Sequence, residues 1–267
     1  MKAMRRVGLI VLLAGAVASA PLAPATASAE LLIGGWHLEG DVEAGFRFLP
    51  SPPSKSESAK FEEYRDLPAN RPFLDHLDLR LLTPDQQLYF VFGGRYWAQK
   101  DQESRLGAGG LGLWEGGFEW NQIPHTYSTN PRFLATETSR GVFALPNPRP
   151  TLNLHNAAPE PDEIATRWDQ AKLFFKLTPT PDIVLIAEYT RTRKSGELPL
   201  GMAFGSPGSN FYEILEPINQ TVHDFRLRAV IARERWQLQI GYALSAFRND
   251  LDSVISANPC FGLSASP

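Results

Sequence analysis

The sequence predicts an all-β protein, an antiparallel transmembrane β-barrel of which this chain supplies an incomplete set of about 8–10 strands. Three features favour this fold class: an export leader, side chains that alternate between apolar and polar, and tight turns that alternate with long connections. The mean hydropathy of −0.21 is compatible with it, because only every second residue of a barrel strand faces lipid.

Residues 1–29 are predicted to be a cleaved signal peptide, and residues 30–267 the N-terminal part of an outer-membrane β-barrel domain. The leader has a basic start, an apolar run and a small-residue cleavage motif: Lys2, Arg5 and Arg6; residues 7–18; and Ala27-Ser28-Ala29. Cleavage after Ala20 is the competing site, but Pro21 disfavours it. The apolar run is shorter than the ~20 residues of a membrane-spanning helix, so export to the bacterial outer membrane is favoured over anchoring.

Period-two alternation is the strongest signal after the leader, since successive strand residues point to opposite faces of a sheet. It predicts eight strands: residues 36–48, 77–81, 88–96, 114–120, 171–177, 183–189, 225–231 and 236–244. No convincing helix is predicted after the leader. The first segment is longer than an ordinary strand and meets the ~9–11 residues that a membrane crossing needs.

Two sets of residues follow from this alternation. The set predicted to face lipid is Trp36, Leu38, Val42, Phe46, Leu173, Phe175, Phe225, Leu227, Leu238 and Ile240. The set predicted to face the lumen is His37, Glu39, Asp41, Glu43, Arg47, Lys172, Lys176, Arg226 and Arg228. A charged side chain that faces lipid costs free energy, so the second set is expected to face an aqueous or protein-filled interior.

The connections are of two kinds, as in outer-membrane barrels, where short periplasmic turns alternate with long outer loops. Tight turns are predicted at residues 83–86, 178–181 and 233–235, and long connections at residues 50–71, 98–110, 140–166 and 195–220. The alternation of short turns and long connections fails between Trp120 and Trp168, because one strand too few is predicted there. A ninth strand at residues 133–145 is expected to restore it.

The end of the sequence suggests a fragment of a longer barrel. Residues 260–267 lack the terminal strand and final aromatic residue expected of such barrels, and an unpaired last strand would leave backbone groups bare in lipid. Cys260 is the single cysteine, which excludes a disulfide within the chain and a cysteine-based zinc site. A disulfide to a partner and a free thiol both remain open.

Several other functions are disfavoured. Removing residues 1–29 takes away three positive charges and no negative one, so the net charge of −3 becomes −6, and no nucleic-acid partner is expected. The five histidines are not clustered, and the acidic residues Glu39, Asp41 and Glu43 are explained by a polar strand face without calcium. No Gly-x-Ser-x-Gly motif is present. We therefore predict no catalytic, metal or cofactor site, and no enzyme.

Six segments resemble the MtrB/PioB family of decahaem-associated outer-membrane β-barrels. They are residues 116–125 (GGFEWNQIPH), 168–172 (WDQAK), 187–193 (AEYTRTR), 199–205 (PLGMAFG), 216–221 (EPINQT) and 247–252 (FRNDLD). The specificity lies in their order and number, because none of them is a catalytic signature.

The resemblance implies a barrel of well over twenty strands that sheathes a periplasmic multihaem c-type cytochrome. Together they would form an electron conduit across the outer membrane, for extracellular electron transfer in metal reduction or iron oxidation. The haem would be carried by the partner, since this chain has no Cys-x-x-Cys-His motif. The alternatives are a general porin, a diffusion channel of the outer membrane, and a soluble periplasmic β-protein.

Overall fold

A computed structural model describes residues 25–145, 163–204 and 210–257. The described chain is almost entirely extended. In order, its elements are β1 (Ala25–Ile33), β2 (Trp36–Arg47), α1 (Lys55–Phe61), β3 (Arg71–Leu82), β4 (Leu88–Arg95), β5 (Glu103–Gly110), β6 (Trp114–Ser128), β7 (Thr136–Ser139), β8 (Val142–Ala144), β9 (Ile164–Thr180), β10 (Ile183–Phe204), β11 (Asn210–Arg233), β12 (Trp236–Asn249) and β13 (Ile255–Ser256).

Ten of these strands form one antiparallel sheet in the order β1-β2-β3-β4-β5-β6-β9-β10-β11-β12. Each strand pairs with the next strand of the sheet along the chain, as hairpin connections require. The all-β antiparallel fold and the estimate of about 8–10 strands are confirmed. Within the described residues the sheet is open, because β1 and β12 each have a paired neighbour on one side only.

The sheet does not fold into a sandwich around a dry core. The apolar residues on one face of β9, β11 and β12 stay uncovered: Leu173 is 52% exposed, Phe175 47%, Leu227 43% and Ile240 62%. Side chains this large are rarely left in water as a continuous surface. A hydrocarbon environment on this face accounts for their exposure.

β5 lies in residues 98–110, which were predicted to be a long connection; that prediction is wrong for this segment. The reason is glycine, which leaves no side-chain alternation to read. A Cβ on Gly107 would lie 2.8 Å from the Val91 side chain, and one on Gly109 would lie 2.5 Å from the Tyr89 ring. The glycines of β5 therefore make room for the larger side chains of β4.

The ninth strand was expected in the wrong place. Residues 133–145 do contain β7 and β8, but these join β13 in a separate three-stranded sheet, with β8 and β13 parallel. β5 restores the strand order instead: a tight turn at residues 111–113 connects it to β6, and β6 then pairs with β9.

The long loop predicted at residues 195–220 is also wrong. β10 and β11 pair continuously from Ile183↔Ile231 to Phe204↔Asn210. These strands of 22 and 24 residues are about twice as long as a membrane crossing needs. The hairpin therefore extends well beyond the hydrocarbon layer.

One helix interrupts the connection between β2 and β3, where no helix was predicted. α1 begins after Ser54, whose backbone N–H donates to the Glu57 carboxylate at 3.1 Å, while its hydroxyl donates to the same group at 2.7 Å. This is a local capping arrangement. Ser58 then meets Thr129 at 3.0 Å between their hydroxyl oxygens, which attaches the helix to the end of β6. In the described part of the chain, no helix is long and apolar enough to cross a membrane.

The two ends of the sheet differ, as expected for a barrel. Short turns at residues 34–35, 83–87, 111–113, 181–182 and 234–235 lie at one end, which we call the short-turn end. The predicted turns at 83–86 and 233–235 are confirmed, whereas β9 continues to Thr180 and displaces the third. The opposite, long-connection end carries residues 48–70, 96–102 and 129–145. β1 begins at Ala25, inside the predicted leader, so the cleavage position stays a prediction.

Candidate functional site: the polar face of the sheet

The sheet has one polar and one apolar face, fixed by alternation along each strand and by the register between strands. All nine residues predicted to face the lumen lie on the polar face, and all ten predicted to face lipid lie on the apolar face. For example, Lys172 pairs with Glu119 and Thr190, while Leu173 pairs with Phe118 and Tyr189. The assignment of the two faces to lumen and lipid stays a prediction.

A ladder of opposite charges crosses the polar face from β6 to β10. The Lys172 ammonium lies 3.6 Å from the Glu119 carboxylate and 3.7 Å from that of Glu188. Below it, the Lys176 ammonium lies 4.0 Å from the Glu115 carboxylate. These side chains remain between 30% and 51% exposed. Exposed ion pairs contribute little stability, so the ladder is better suited to facing a polar surface than to holding the sheet together.

A second group of charges surrounds His76 on β3. The His76 imidazole contacts the Asp41 carboxylate and lies 3.5 Å from both Glu43 and Asp75. A register shift opposite Glu43 and Ala44 leaves Asp75 as an extra residue, and such a bulge re-aims side chains. The bulge thus brings two consecutive residues to one cluster, which sequence alternation alone could not predict.

This His76 cluster has ligand types that could hold a metal ion. One ligand atom from each of Asp41, His76 and Asp78 lies within 4.8 Å of the others, and the same holds for Glu43, Asp75 and His76. Two of these carboxylates already have partners within the protein. Arg105 donates to Asp78 at 2.5 Å, and His76 contacts Asp41. The expectation that this polar strand face holds no metal ion stays a prediction.

A groove of about 410 Å³ lies beside this cluster. Its polar lining comes from Asp78, Arg95, Glu103, Arg105, Glu119 and Asn121. Carboxylate, guanidinium and amide groups of both signs suit the binding of water or a polar protein surface. None of these residues belongs to the set predicted to face the lumen, although Glu119 follows the same alternation as that set.

Most of the buried apolar side chains lie toward the long-connection end, away from the ion-pair ladder. Ile164, Ile214 and Ile218 are almost completely buried, as is Phe143 of β8. Ile164, Ile214 and Ile218 lie on the polar face by register. The polar face therefore has a solvated charged region and, beyond it, a packed apolar region.

Glu197 lies in the part of β10 that extends beyond the membrane region, and it gives a prediction on pH. Burial raises the pKa of its carboxyl above the ordinary 4.5, and the Glu137 carboxylate adds to this. The folded hairpin therefore favours the protonated form. The stabilisation of the hairpin by protonated Glu197 should be complete below about pH 4.5, and it should be lost as the pH rises through the pKa of Glu197 in the folded protein.

We expect Glu197→Gln to remove this pH dependence and to slow amide exchange of the hairpin at pH 7 by roughly two- to fivefold. Hydrogen exchange of residues 195–204 and 213–220, corrected for the intrinsic effect of pH, measures it. Glu213→Gln, at an exposed position of the same hairpin, is the matched control. Equal pH dependence in the wild type and the Glu197→Gln protein would contradict the prediction.

Comparison with known proteins supplies a family. The model of the family described as outer membrane beta-barrel porin, MtrB/PioB, matches residues 54–266, which is more than half of the chain. This match confirms the resemblance inferred from the six segments. A comparison with curated proteins finds no match.

Proposed function

The chain belongs to the MtrB/PioB family of outer-membrane β-barrel porins, and from this premise we propose that it forms a sheath for a periplasmic multihaem c-type cytochrome. The barrel and cytochrome together would carry electrons across the outer membrane, in metal reduction or iron oxidation. The family is not an enzyme class. In this proposal the chain binds no haem itself, and the barrel provides an insulated passage through lipid while the partner provides the redox groups.

The observation that carries this proposal is the solvated ion-pair ladder on the polar face. Lys172, Lys176 and their carboxylate partners are half-exposed and bear both signs of charge. A lumen used only by small solutes needs water at its wall. A lumen that holds a protein needs polar groups that can exchange partners without leaving a buried charge unpaired. The mixed, uncovered ladder meets this second requirement.

The open sheet supports a lumen of protein size. A closed barrel of about eight strands is filled by its own side chains, whereas one of about 22 strands can enclose a plug. β1 and β12 each expose a strand edge within the described structure, and bare strand edges are not tolerated in lipid. We therefore propose that further strands cover both edges and complete a wider barrel.

Purification from the native outer membrane tests the proposal directly. An affinity tag on the protein in its own host should retain a haem-staining partner through detergent extraction, at a constant ratio of haem to barrel. Vesicles containing that complex and a trapped reductant should then reduce an external acceptor. Haem-free preparations, or electron flow equal to that of vesicles without cytochrome, would overturn the conduit.

A general diffusion channel is the second candidate, favoured by the family's description as a porin. Vesicle swelling in neutral solutes separates the two. An open channel admits small sugars at once, whereas a barrel filled by a cytochrome does not. Swelling by protein that is purified from its own host and brings no haem-bearing partner with it would favour the channel.

Charge reversal on the ladder provides a sharper test of the same lumen. We expect the double variant Lys172→Glu/Lys176→Glu to raise cation over anion permeability of the cytochrome-free barrel roughly twofold or more, because lumen charges tune selectivity. Reversal potentials in a salt gradient across a planar bilayer measure it. The Lys172→Arg/Lys176→Arg protein keeps the charge and serves as the control. Unchanged selectivity in the reversed variant would place these lysines outside the conducting lumen.

A further inference from the structure

We propose that the apolar face ends, toward the long-connection end, in a site that binds phosphate groups of membrane-lipid headgroups. The site, which we call the basic rim, consists of Arg191 and Arg193 on β10 and His223 on β11, with Arg248 of β12 beside it. These residues lie on the same face as Leu227 and Ile240 by alternation and register. None of them belongs to the lumen surface used in the conduit proposal.

The basic rim begins where the apolar band stops on three neighbouring strands. On the apolar face of β10, the residues Leu185, Ala187 and Tyr189 are followed by Arg191. On the same face of β11, Ala229, Leu227 and Phe225 are followed by His223. On the same face of β12, Ile240, Tyr242, Leu244 and Ala246 are followed by Arg248. Each series changes from apolar or aromatic to a basic residue in one step. A cation one step above the hydrocarbon lies at the depth of the headgroups, as interfacial aromatic and basic residues do.

Arg191 is the guanidinium of the basic rim for which the described residues supply no anionic partner. Arg191 has no hydrogen bond or ion pair to any residue that the structure describes. Arg193 donates to the amide oxygen of Asn219 at 3.2 and 3.1 Å, lies opposite Asp169 of β9 in register, and lines a cavity together with Glu197. The Asp169 carboxylate is buried and also lies 2.8 Å from the Arg167 guanidinium, so one carboxylate is shared between two arginines. Arg191 therefore offers an unpaired guanidinium to a ligand, and Arg193 lies one step beyond it on the same face.

The remaining groups of the rim can complete a phosphate site. The Tyr189 hydroxyl meets Nδ1 of His223 at 2.7 Å, which holds two hydrogen-bonding groups beside Arg191. Arg248 is paired with Asp250 at 2.6 Å and is 78% exposed, so it borders the site without adding net charge. Arginine is the side chain best suited to phosphate, because its planar donors can bind two oxygens.

The geometry favours a lipid phosphate over a free anion. Residues 191 and 193 are two apart on one strand, about 7 Å, and His223 lies on the adjacent strand, about 5 Å away. A phosphate bound here has the apolar residues of the band directly below it, where acyl chains of the same lipid would lie. Inorganic phosphate would gain the charge interaction alone. The ligand that we propose for the basic rim is therefore a lipid whose headgroup carries phosphate.

The test compares phosphate removal from the lipid with charge removal from the protein. The full chain is reconstituted in phosphatidylcholine nanodiscs, and titrated with bisphosphorylated lipid A, dephosphorylated lipid A or inorganic phosphate. Native mass spectrometry counts the retained molecules. We expect preferential retention of the bisphosphorylated lipid. We expect roughly 5-fold weaker retention for each arginine removed, about 25-fold for Arg191→Gln/Arg193→Gln.

A matched variant separates this effect from general loss of charge or of folding. Arg226→Gln/Arg228→Gln removes two cations from the polar face of the neighbouring strand and should leave retention unchanged. Arg191→Lys/Arg193→Lys should retain an intermediate amount, because charge remains while the planar donors are lost. Any of three results would overturn the proposal. The two lipids could be retained equally, or the polar-face variant could lose as much retention as the Arg191→Gln/Arg193→Gln protein. Millimolar inorganic phosphate could also compete as strongly as the lipid does. A failed electron-transfer assay would not affect these outcomes.

Discussion

Replacing Leu227 by arginine should destabilise the membrane-inserted protein by roughly 2–4 kcal/mol, the cost of a basic side chain near the bilayer midplane. Leu227 lies on the apolar face of β11, 43% exposed, with Ala187 and Tyr242 beside it in register. Phe225 and Ala229 continue the apolar face above and below. An arginine here has no nearby carboxylate on its own face and must reach past at least one apolar step to leave the hydrocarbon.

Thr190→Arg is the control for this substitution. Thr190 lies on the polar face of β10, between Lys172 and Asp224 in register, so a new guanidinium there has water and a carboxylate within reach. We expect its stability to change by less than about 0.5 kcal/mol. Denaturant unfolding in phospholipid vesicles, followed by tryptophan fluorescence, measures both. If the two variants lose equal stability, or the Thr190→Arg protein loses more, the faces have been assigned to the wrong environments.

Sequence alternation predicted which side chains share a face wherever side chains of both kinds were present. β2 and β12 illustrate this, because apolar residues alternate with polar ones almost without interruption from Trp36 and from Trp236. The rule depends only on the geometry of an extended chain. It failed for β5, where three of the eight residues are glycine and carry no signal.

The lengths of strands were less predictable than their faces. Residues 195–220 contain Pro199 and Pro217 together with several glycines, a composition typical of loops. Their pairing partner is the other half of the same hairpin, Glu197↔Pro217 and Pro199↔Leu215 among others. Continuous cross-strand pairing outweighed local propensity here, as tertiary context commonly does for strands.

The cross-strand contacts of the polar face needed register as well as alternation. Lys172 could be assigned to the polar face from sequence, but its two carboxylate partners come from β6 and β10. Similarly, His76 and Asp75 share one cluster because of a bulge. A shift of one residue in either pairing would exchange the faces, so these contacts depend on the turns and connections that fix each strand against its neighbours.

Gly196→Ala should be the most damaging small substitution in the β10–β11 hairpin, with a loss of roughly 2–4 kcal/mol in its local stability. Gly196 has φ +127°, which residues with a side chain rarely adopt. A Cβ at this position would lie 2.2 Å from the Ala165 carbonyl oxygen and 2.8 Å from the Thr166 Cα. Both are backbone atoms of β9, so relief of the clash requires the two strands to move apart.

Gly201→Ala provides a comparison within the same strand, because a Cβ at Gly201 meets no atom within 4 Å. That variant should change local stability by at most about 0.5 kcal/mol. Amide exchange of residues 195–204 and 164–170 distinguishes the two, since separation of β9 from β10 would expose amides on both strands. The membrane-embedded parts of β9 and β10 should keep their protection in both variants. Protection in the Gly196→Ala protein equal to that in the Gly201→Ala protein would show that β9 does not approach β10 this closely, and that the extended hairpin departs from the register described for it.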